Sequence, residues 1–342
     1  MRIFFVIMAL FLTFSAQAEE KAKEGEKTEK AFLEGWTVNV MAENDMFGSD
    51  TDRHYTHGTR LSFASPKGEV ADWLKTAAGH IPLFNNDKNS VLRSSYAIGQ
   101  NLYTPADISL TDPNEFDRPY AGWMYFSSGL VADNGSQIDN LEFTIGMVGP
   151  AALGEETQTF VHKVIDSPKP QGWDHQLKNE LGLNVSYERK FRRVVDFDIG
   201  VYDLEFDASP HFGVSLGNVF THGEIGSVFR IGHDLDKDRG GPPRIRPSLP
   251  GSDYYDTSDE FGWYFFGGLA GRYVAHNIFL DGNTFANSYS VDKNPFVGDF
   301  QFGIAMRFKD IRIAYTKIAR TKEFKDQSLP DRFGAITLSY QF

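Results

Sequence analysis

GAITLSYQF, residues 334–342, alternates without a break. Ile336, Leu338, Tyr340 and Phe342 fall on one face, and Thr337, Ser339 and Gln341 on the other. Side chains of an extended strand point to opposite faces in turn. An apolar row toward lipid and a polar row toward a watery interior is the pattern of a transmembrane β-strand. A half-buried strand of a soluble sandwich alternates in the same way, so one segment does not decide the matter.

The pattern recurs upstream. Leu141, Phe143, Ile145 and Met147 oppose Asn140, Glu142, Thr144 and Gly146; Ile311, Ile313 and Tyr315 oppose Arg312, Ala314 and Thr316; Thr59, Leu61 and Phe63 oppose Gly58, Arg60, Ser62 and Ala64. An arginine facing lipid at the bilayer midplane costs about 2–4 kcal/mol, so these charges belong in a lumen. The chain ends on Phe342 with apolar residues at alternate positions before it, which resembles the insertion signal of bacterial outer-membrane proteins. Strands are expected near 35–44, 56–65, 94–103, 120–132, 138–148, 181–191, 222–234, 260–273, 276–288, 296–308, 310–319 and 332–342. That makes the chain all-β, an antiparallel transmembrane barrel of about twelve strands, with an even count as in bacterial single-chain barrels. The segment 193–220 reads as another strand or as a turn folded into the lumen, and evenness favours the turn.

Residues 1–18 read as a signal peptide: Arg2, an apolar run over 3–14, and Ala16-Gln17-Ala18 as a cleavage site. Residues 19–34 are charged and poor in apolar side chains, as in a flexible periplasmic tail, which leaves 35–342 for the barrel. No later stretch reaches the ~18 consecutive apolar residues of a transmembrane helix. There is no cysteine, so no disulfide supports the exported chain. A net charge of −12 argues against a nucleic-acid partner and is compatible with a divalent cation. No phosphate-binding glycine loop occurs.

A chain that starts in the periplasm places connections 45–55, 104–119 and 149–180 on the outside. The short connections 133–137, 274–275 and 309 then fall on the periplasmic side, where 66–93 is unusually long. The chemistry gathers in the outer three. MAENDMFGSDTDRHYTHGTRLSF, residues 41–63, puts Glu43, Asn44, Asp45, Asp50, Asp52, His54 and His57 into one bend. Carboxylate and carbonyl oxygens suit a hard cation such as calcium, with Glu43 and Asp45 as candidate ligands. An ordinary solvated acidic bend has the same composition. Asn44 lies on the opposite face from Asp45 in a regular strand, so the strand is expected to bulge or end there.

In the third outer connection, the stretch of GEETQTFVHKVID (154–166) without Gly or Pro reads as a short helix from about Glu155 to Asp166. Gln158, His162 and Asp166 lie one turn apart on one face. An imidazole held by a carboxylate is a competent general base toward water, and a nearby cation would stabilise an ester oxyanion. A helix that merely caps the barrel is the alternative. In the second outer connection, Asp117 and Arg118 are expected to pair with each other, and Tyr103, Tyr120, Trp123 and Tyr125 to form an interfacial belt.

ENDMFGSDTDRHYTHG, NLYTPAD, FDRPYAGW, GMVGPAALGEETQTFVHKVID and GWDHQLKNELG resemble, in order and spacing over nearly the whole mature chain, the outer-membrane lipid A deacylases of the LpxR family. The resemblance implies a twelve-stranded barrel with a calcium-dependent site near the outer leaflet that removes the 3′-linked acyloxyacyl chain of lipid A. It implies catalytic roles for Asn44, Asp45, Thr56, Gln158 and His162, with Asp166 as the acidic residue after the histidine, and a Ca2+ near Asp45. Lys163, Arg53 and Arg60 become candidates for lipid A phosphates. Lipopolysaccharide and the surrounding outer-membrane lipids are then the partners. The competing classes are a non-enzymatic channel and a phospholipase. On the deacylase reading, two outer loops are expected to meet over the lumen mouth.

Overall fold

The computed structural model describes residues 34–48, 54–81, 83–84, 90–200 and 202–342. The expected leader, nearly all of the tail, and Asp50, Asp52 and Arg53 lie outside the described residues. Thirteen strands run in chain order: β1 (Thr37–Asn44), β2 (His54–Ala64), β3 (Val91–Thr104), β4 (Ala121–Asp133), β5 (Gln137–Val148), β6 (Glu180–Phe191), β7 (Val195–Asp198), β8 (Glu205–Gly217), β9 (Phe220–His233), β10 (Ser258–Asn277), β11 (Phe296–Lys309), β12 (Ile311–Arg320) and β13 (Asp331–Gln341). Neighbours are antiparallel; β1 pairs with β13, and β6 with β8, so the sheet closes. β7 is β6 resumed: Lys190 faces His211 and Val195 faces Ala208 on the same strand β8, with an irregularity at Arg193 (φ 47°) between them. The barrel therefore has twelve staves.

Two expectations fail and cancel in the count. Residues 205–217 form a full strand, with Asp207, Ser209, His211 and Ser215 turned in and Val214 and Leu216 turned out. Its inward row of polar residues hides the pattern from a reading that looks for apolar runs. Residues 276–288 are not a strand. β10 passes straight through 274–275 and ends at Asn277, whose side chain accepts from the Phe279 N–H and starts the helical turn Ile278–Asp281. The connection 234–257 consequently leaves the barrel at the end where the chain termini lie.

The lipid-facing rows behave as read. Ile98, Phe126, Ile145, Leu183, Leu269 and Phe300 are exposed on the wall, whereas Thr337 and Ser339 are fully inside. The lumen is filled. Arg60 pairs with Glu142 (2.8 Å), Arg230 with Asp207 (2.6 Å), Arg312 with Asp238 (3.0 Å), and Asp299 with both Arg272 (2.5 Å) and Arg320 (2.8 Å). Buried charges persist only when paired and hydrogen-bonded. The 234–257 connection folds inward among them: Arg246 reaches Glu188 (3.1 Å) and the Thr337 hydroxyl donates to the Pro243 carbonyl (3.4 Å).

At the opposite end the lumen closes on an apolar plug. Phe279 stacks on Tyr103 (centroids 4.1 Å) beside Tyr55, Trp123, Tyr125 and Phe220. Tyr103, Tyr120, Trp123 and Tyr125 are all buried, so they form no interfacial belt. Trp123 and Tyr125 face the lumen, where Gly146 and Gly182 leave room for the indole. The long 66–93 connection forms helix α1 (Asp72–Gly79), whose Leu74 and Ala78 pack with Leu130, Leu141 and Tyr187 of the outer wall.

Lumenal cavities of ≈ 40 and ≈ 50 Å³ are both lined by Arg60, Glu142, Glu188 and Arg246. Reconstituted in a planar bilayer, the protein is expected to pass no steady ionic current. A reproducible open level from the intact chain would contradict a filled lumen.

Candidate active site on the outer wall

β1 stops at Asn44 because its side chain is used twice. Asn44 Oδ1 accepts from the Met46 N–H (2.8 Å), capping the short 3-10 turn Asp45–Phe47, and Nδ2 donates to the Thr56 carbonyl (2.7 Å). On β2 the register against β3 slips between Tyr55 and His57. A bulge of this kind aims neighbouring side chains to one side. Tyr55 stays in the lumenal cluster, while Thr56 and His57 both line a pocket on the outer face of the wall. Thr56 Oγ1 lies 2.7 Å from Thr104 Oγ1 of β3.

The other side of the pocket is helix α2 (Gly154–Ile165), as the sequence predicts from Glu155 onward. It lies against the outside of β3 and β4. Gly122 on β4 admits the turn before it: a Cβ there would sit 3.1 Å from Ala152 and 3.3 Å from Gly154. At Gly154 a Cβ would come 2.6 Å from the ring of Trp173, which is buried with Leu102 and Tyr120. Leu153 enters the helix in the left-handed region (φ 56°), and Gln100 Nε2 donates to the Ala152 carbonyl (2.6 Å).

The pocket is lined by Asn44, Met46 and Thr56 from the wall and by Gln158, Val161 and His162 from the helix, among others. Four expected residues thus come together: Asn44, Thr56, Gln158 and His162. Asp45 sits between the lining residues Asn44 and Met46, is 2% exposed, and accepts from the Met46 N–H (2.9 Å). Glu43 does not join them. It points into the lumen, where Arg244 Nε (2.5 Å) and the Ile245 N–H (3.2 Å) donate to its Oε1. Asp166 is exposed at the end of α2 in the left-handed region (φ 58°) and does not line the pocket.

The imidazole is held by backbone instead. His162 Nδ1 lies 2.5 Å from the Pro168 carbonyl, which can only accept, so Nδ1 carries the proton and Nε2 is the basic nitrogen. The Pro168 turn after the helix supplies this partner, and helical spacing could not show it. Trp173 Nε1 donates to Gln158 Oε1 (2.8 Å), which fixes the amide's orientation. Gln158 Nε2 is buried and has no hydrogen-bond partner among the described residues.

The pocket lies between the helix and the wall's outer face, not over the lumen mouth. A strand alternates, so Asn44 and Glu43 must diverge. Arg60 is committed to Glu142 inside, and Lys163 is exposed on α2. Asp117 and Arg118 form no side-chain ion pair with each other; only the Arg118 N–H donates to Asp117 Oδ1 (2.7 Å). Asp117 is 3.3 Å from His54 Nε2, and Arg118 is 2.7 Å from Glu323. His54 also holds Asp331 (2.6 Å), so three rim connections are tied at one imidazole. Burial alone would raise the Asp117 carboxyl; hydrogen bonds from His54 and from the Ala106 and Arg118 N–H groups hold it below the ordinary carboxylate range.

A family model described as "Outer membrane protein LpxR" matches residues 4–342. The chain belongs to the LpxR family. It is therefore an outer-membrane protein. Among solved structures, LpxR from Salmonella typhimurium matches with a TM-score of 0.73 at 18% identity, covering 90% of this chain and 100% of that one. The expected fold is thereby met by an independent barrel. The β domain of the Bordetella autotransporter BrkA matches at a TM-score of 0.43 and 7% identity, over 90% of this chain and 99% of that one. Comparison with curated proteins gives no match.

The close approach at Gly154 yields a test. Gly154→Val is expected to lift α2 from the wall and speed protease cleavage within 154–179, with the barrel still resistant. Cleavage at the unaltered rate would show that the helix does not depend on this contact.

Proposed function

We propose that this LpxR-family protein is a lipid A deacylase that hydrolyses the 3′-linked acyloxyacyl ester in the outer leaflet. The observation that carries the reading is the pocket itself: a basic nitrogen, a buried amide donor and hydroxyl and amide groups of the wall converge in a cleft on a lipid-facing surface. α2 carries an outward apolar face, Phe160 (67% exposed) and Val164 with Leu153 just before the helix, flanked by the exposed charges Glu156 and Lys163. Such a face belongs against acyl chains rather than water. The family membership supports the same activity.

In the proposed mechanism, His162 Nε2 takes a proton from water while Nδ1 stays bonded to the Pro168 carbonyl. The water oxygen attacks the acyl carbon. The ester C–O bond breaks, and the proton passes from His162 to the leaving sugar oxygen, releasing a carboxylic acid and a free hydroxyl. Gln158 Nε2, whose amide is fixed by Trp173, donates to the acyl oxygen as negative charge builds on it. Asn44 and Thr56 shape the wall side of the cleft and keep Asp45 in place.

Beside Asn44 the described part of this bend offers oxygen donors and the buried carboxylate of Asp45, which suits a hard cation more than a soft one. A Ca2+ held there by Asp45 and backbone oxygens would polarise the ester carbonyl. Among the described residues no three acidic or histidine side chains converge on a metal. Glu43, engaged by Arg244, is not assigned as a ligand. A channel reading finds no support in a lumen filled by ion pairs and closed by aromatic rings.

Mass spectrometry of lipid A from cells with and without the protein tests the activity directly. His162→Ala is expected to lower turnover by about 10³-fold while the barrel keeps its heat-modifiable gel mobility, and Gln158→Ala by about 10²-fold. Full activity of the His162 variant would refute the mechanism. EDTA is expected to stop the reaction and added Ca2+ to restore it; activity insensitive to the chelator would remove the cation. Purified lipid A and a glycerophospholipid assayed side by side separate a deacylase from a phospholipase.

A further inference from the structure

The connection 234–257 starts and finishes at the termini end of the barrel, yet its middle reaches the rim that carries the pocket. Arg244 is 7% exposed and Glu43 1% exposed. Arg244 Nε and the Ile245 N–H both donate to Glu43 Oε1, and Arg244 Nη1 donates to Gln301 Oε1 on β11 (2.9 Å). The guanidinium also lies over the Phe333 ring (5.8 Å) of β13. Ile245 and the Tyr55 hydroxyl together fill the space beside Gly58, the cross-strand partner of Glu43; a Cβ there would collide with Tyr55 Oη and come 2.9 Å from Ile245 Cδ1. Glu43 is the last lumen-facing residue of β1, and Asn44 and Asp45 follow it directly.

We infer that Arg244 is a positioning residue for the site: clamping Glu43 from inside the barrel, it sets where β1 stops and so holds Asn44 and Asp45 in place on the outside. A buried carboxylate without its guanidinium must protonate, draw in water or move. Movement at Glu43 is transmitted through one peptide bond to Asn44, whose two hydrogen bonds define the pocket wall. The clamp comes from a segment that never touches the substrate cleft. It couples the inner end of the barrel to the outer one.

The activity arm of the test rests on the deacylase reading; a second arm does not. Arg244→Gln is expected to lower kcat on purified lipid A by about tenfold or more with KM changed less than about threefold, since small misplacement costs turnover more than binding. Arg244→Lys, which keeps the charge, should recover part of the loss. The Glu43→Gln, Arg244→Gln double variant should be no worse than the poorer single one, because the two side chains act through one contact. Arg230→Gln breaks an ion pair elsewhere in the lumen and should leave kcat per folded barrel unchanged.

The second arm is backbone hydrogen exchange of the intact protein, in which Arg244→Gln should speed exchange at Asp45–Gly48 and leave β12 unchanged. Unchanged kcat in an active protein overturns the inference, as does an equal loss in Arg230→Gln. If the unaltered protein fails to deacylate lipid A, the functional reading falls, and exchange alone decides the clamp: faster exchange sustains it and unchanged exchange overturns it.

Discussion

The structure turns on the alternation of one short strand. β1 must place Glu43 inside and Asn44 outside, and each needs a partner that the strand itself cannot supply. Inside, the partner is Arg244; outside, it is the backbone of the bulged strand β2 and the turn Asp45–Phe47. The bulge at Thr56 is what lets the wall offer two successive side chains to the same face. A regular ladder would have returned one of them to the lumen. The site exists because the ladder of β2 is irregular at the rim.

Docking a helix on the outside of a barrel is the second constraint. A strand's outer face is built for lipid tails, so a helix resting on it has to displace them with comparable packing. Gly122 and Gly154 allow the backbones close approach, and Leu102 and Trp173 fill the interface. Dispersion gained from such contacts is what holds helices together where lipid is as apolar as the partner. The same indole then directs Gln158 through its N–H, so one residue supplies both adhesion and orientation.

The barrel was legible because its signal is periodic and repeated. Residues 334–342 and 310–316 bury the polar row and expose the apolar one as read. The segment 205–217, within 193–220, reads as a lumenal turn because 276–288 already fills the even count, and 276–288 reads as a strand because Ile278, Phe279, Leu280 and Phe285 continue an apolar appearance beyond a strand that Asn277 has already ended. For the site, helical spacing brought Gln158 and His162 to one face. It also nominated Asp166, which the left-handed residue at the helix end turns away, while the Pro168 carbonyl takes the imidazole. Glu43 and Asp45 looked equivalent in an acidic bend. They share a strand parity; what separates them is that β1 ends at Asn44, so Asp45 enters the 3-10 turn while Glu43 stays on the face toward the filled lumen, and the identity of that filling, residues 242–252, cannot be read from local pattern.

The pocket's location bears on how a lipid could be its substrate. A site reached through the lumen would require acyl chains to leave the bilayer, at about 0.8 kcal/mol for each methylene exposed to water. This lumen, lined by arginine and aspartate and closed by Phe279, offers nothing in return. A cleft on the outer wall would avoid that cost, because acyl chains would remain among the apolar residues of α2 and the strands while only the ester reached the polar groups. The charged residues of the barrel then have a task distinct from recognition. By filling the interior they make it rigid, and a rigid interior can fix, through Arg244 and Glu43, the position of groups on the far side of a wall one residue thick.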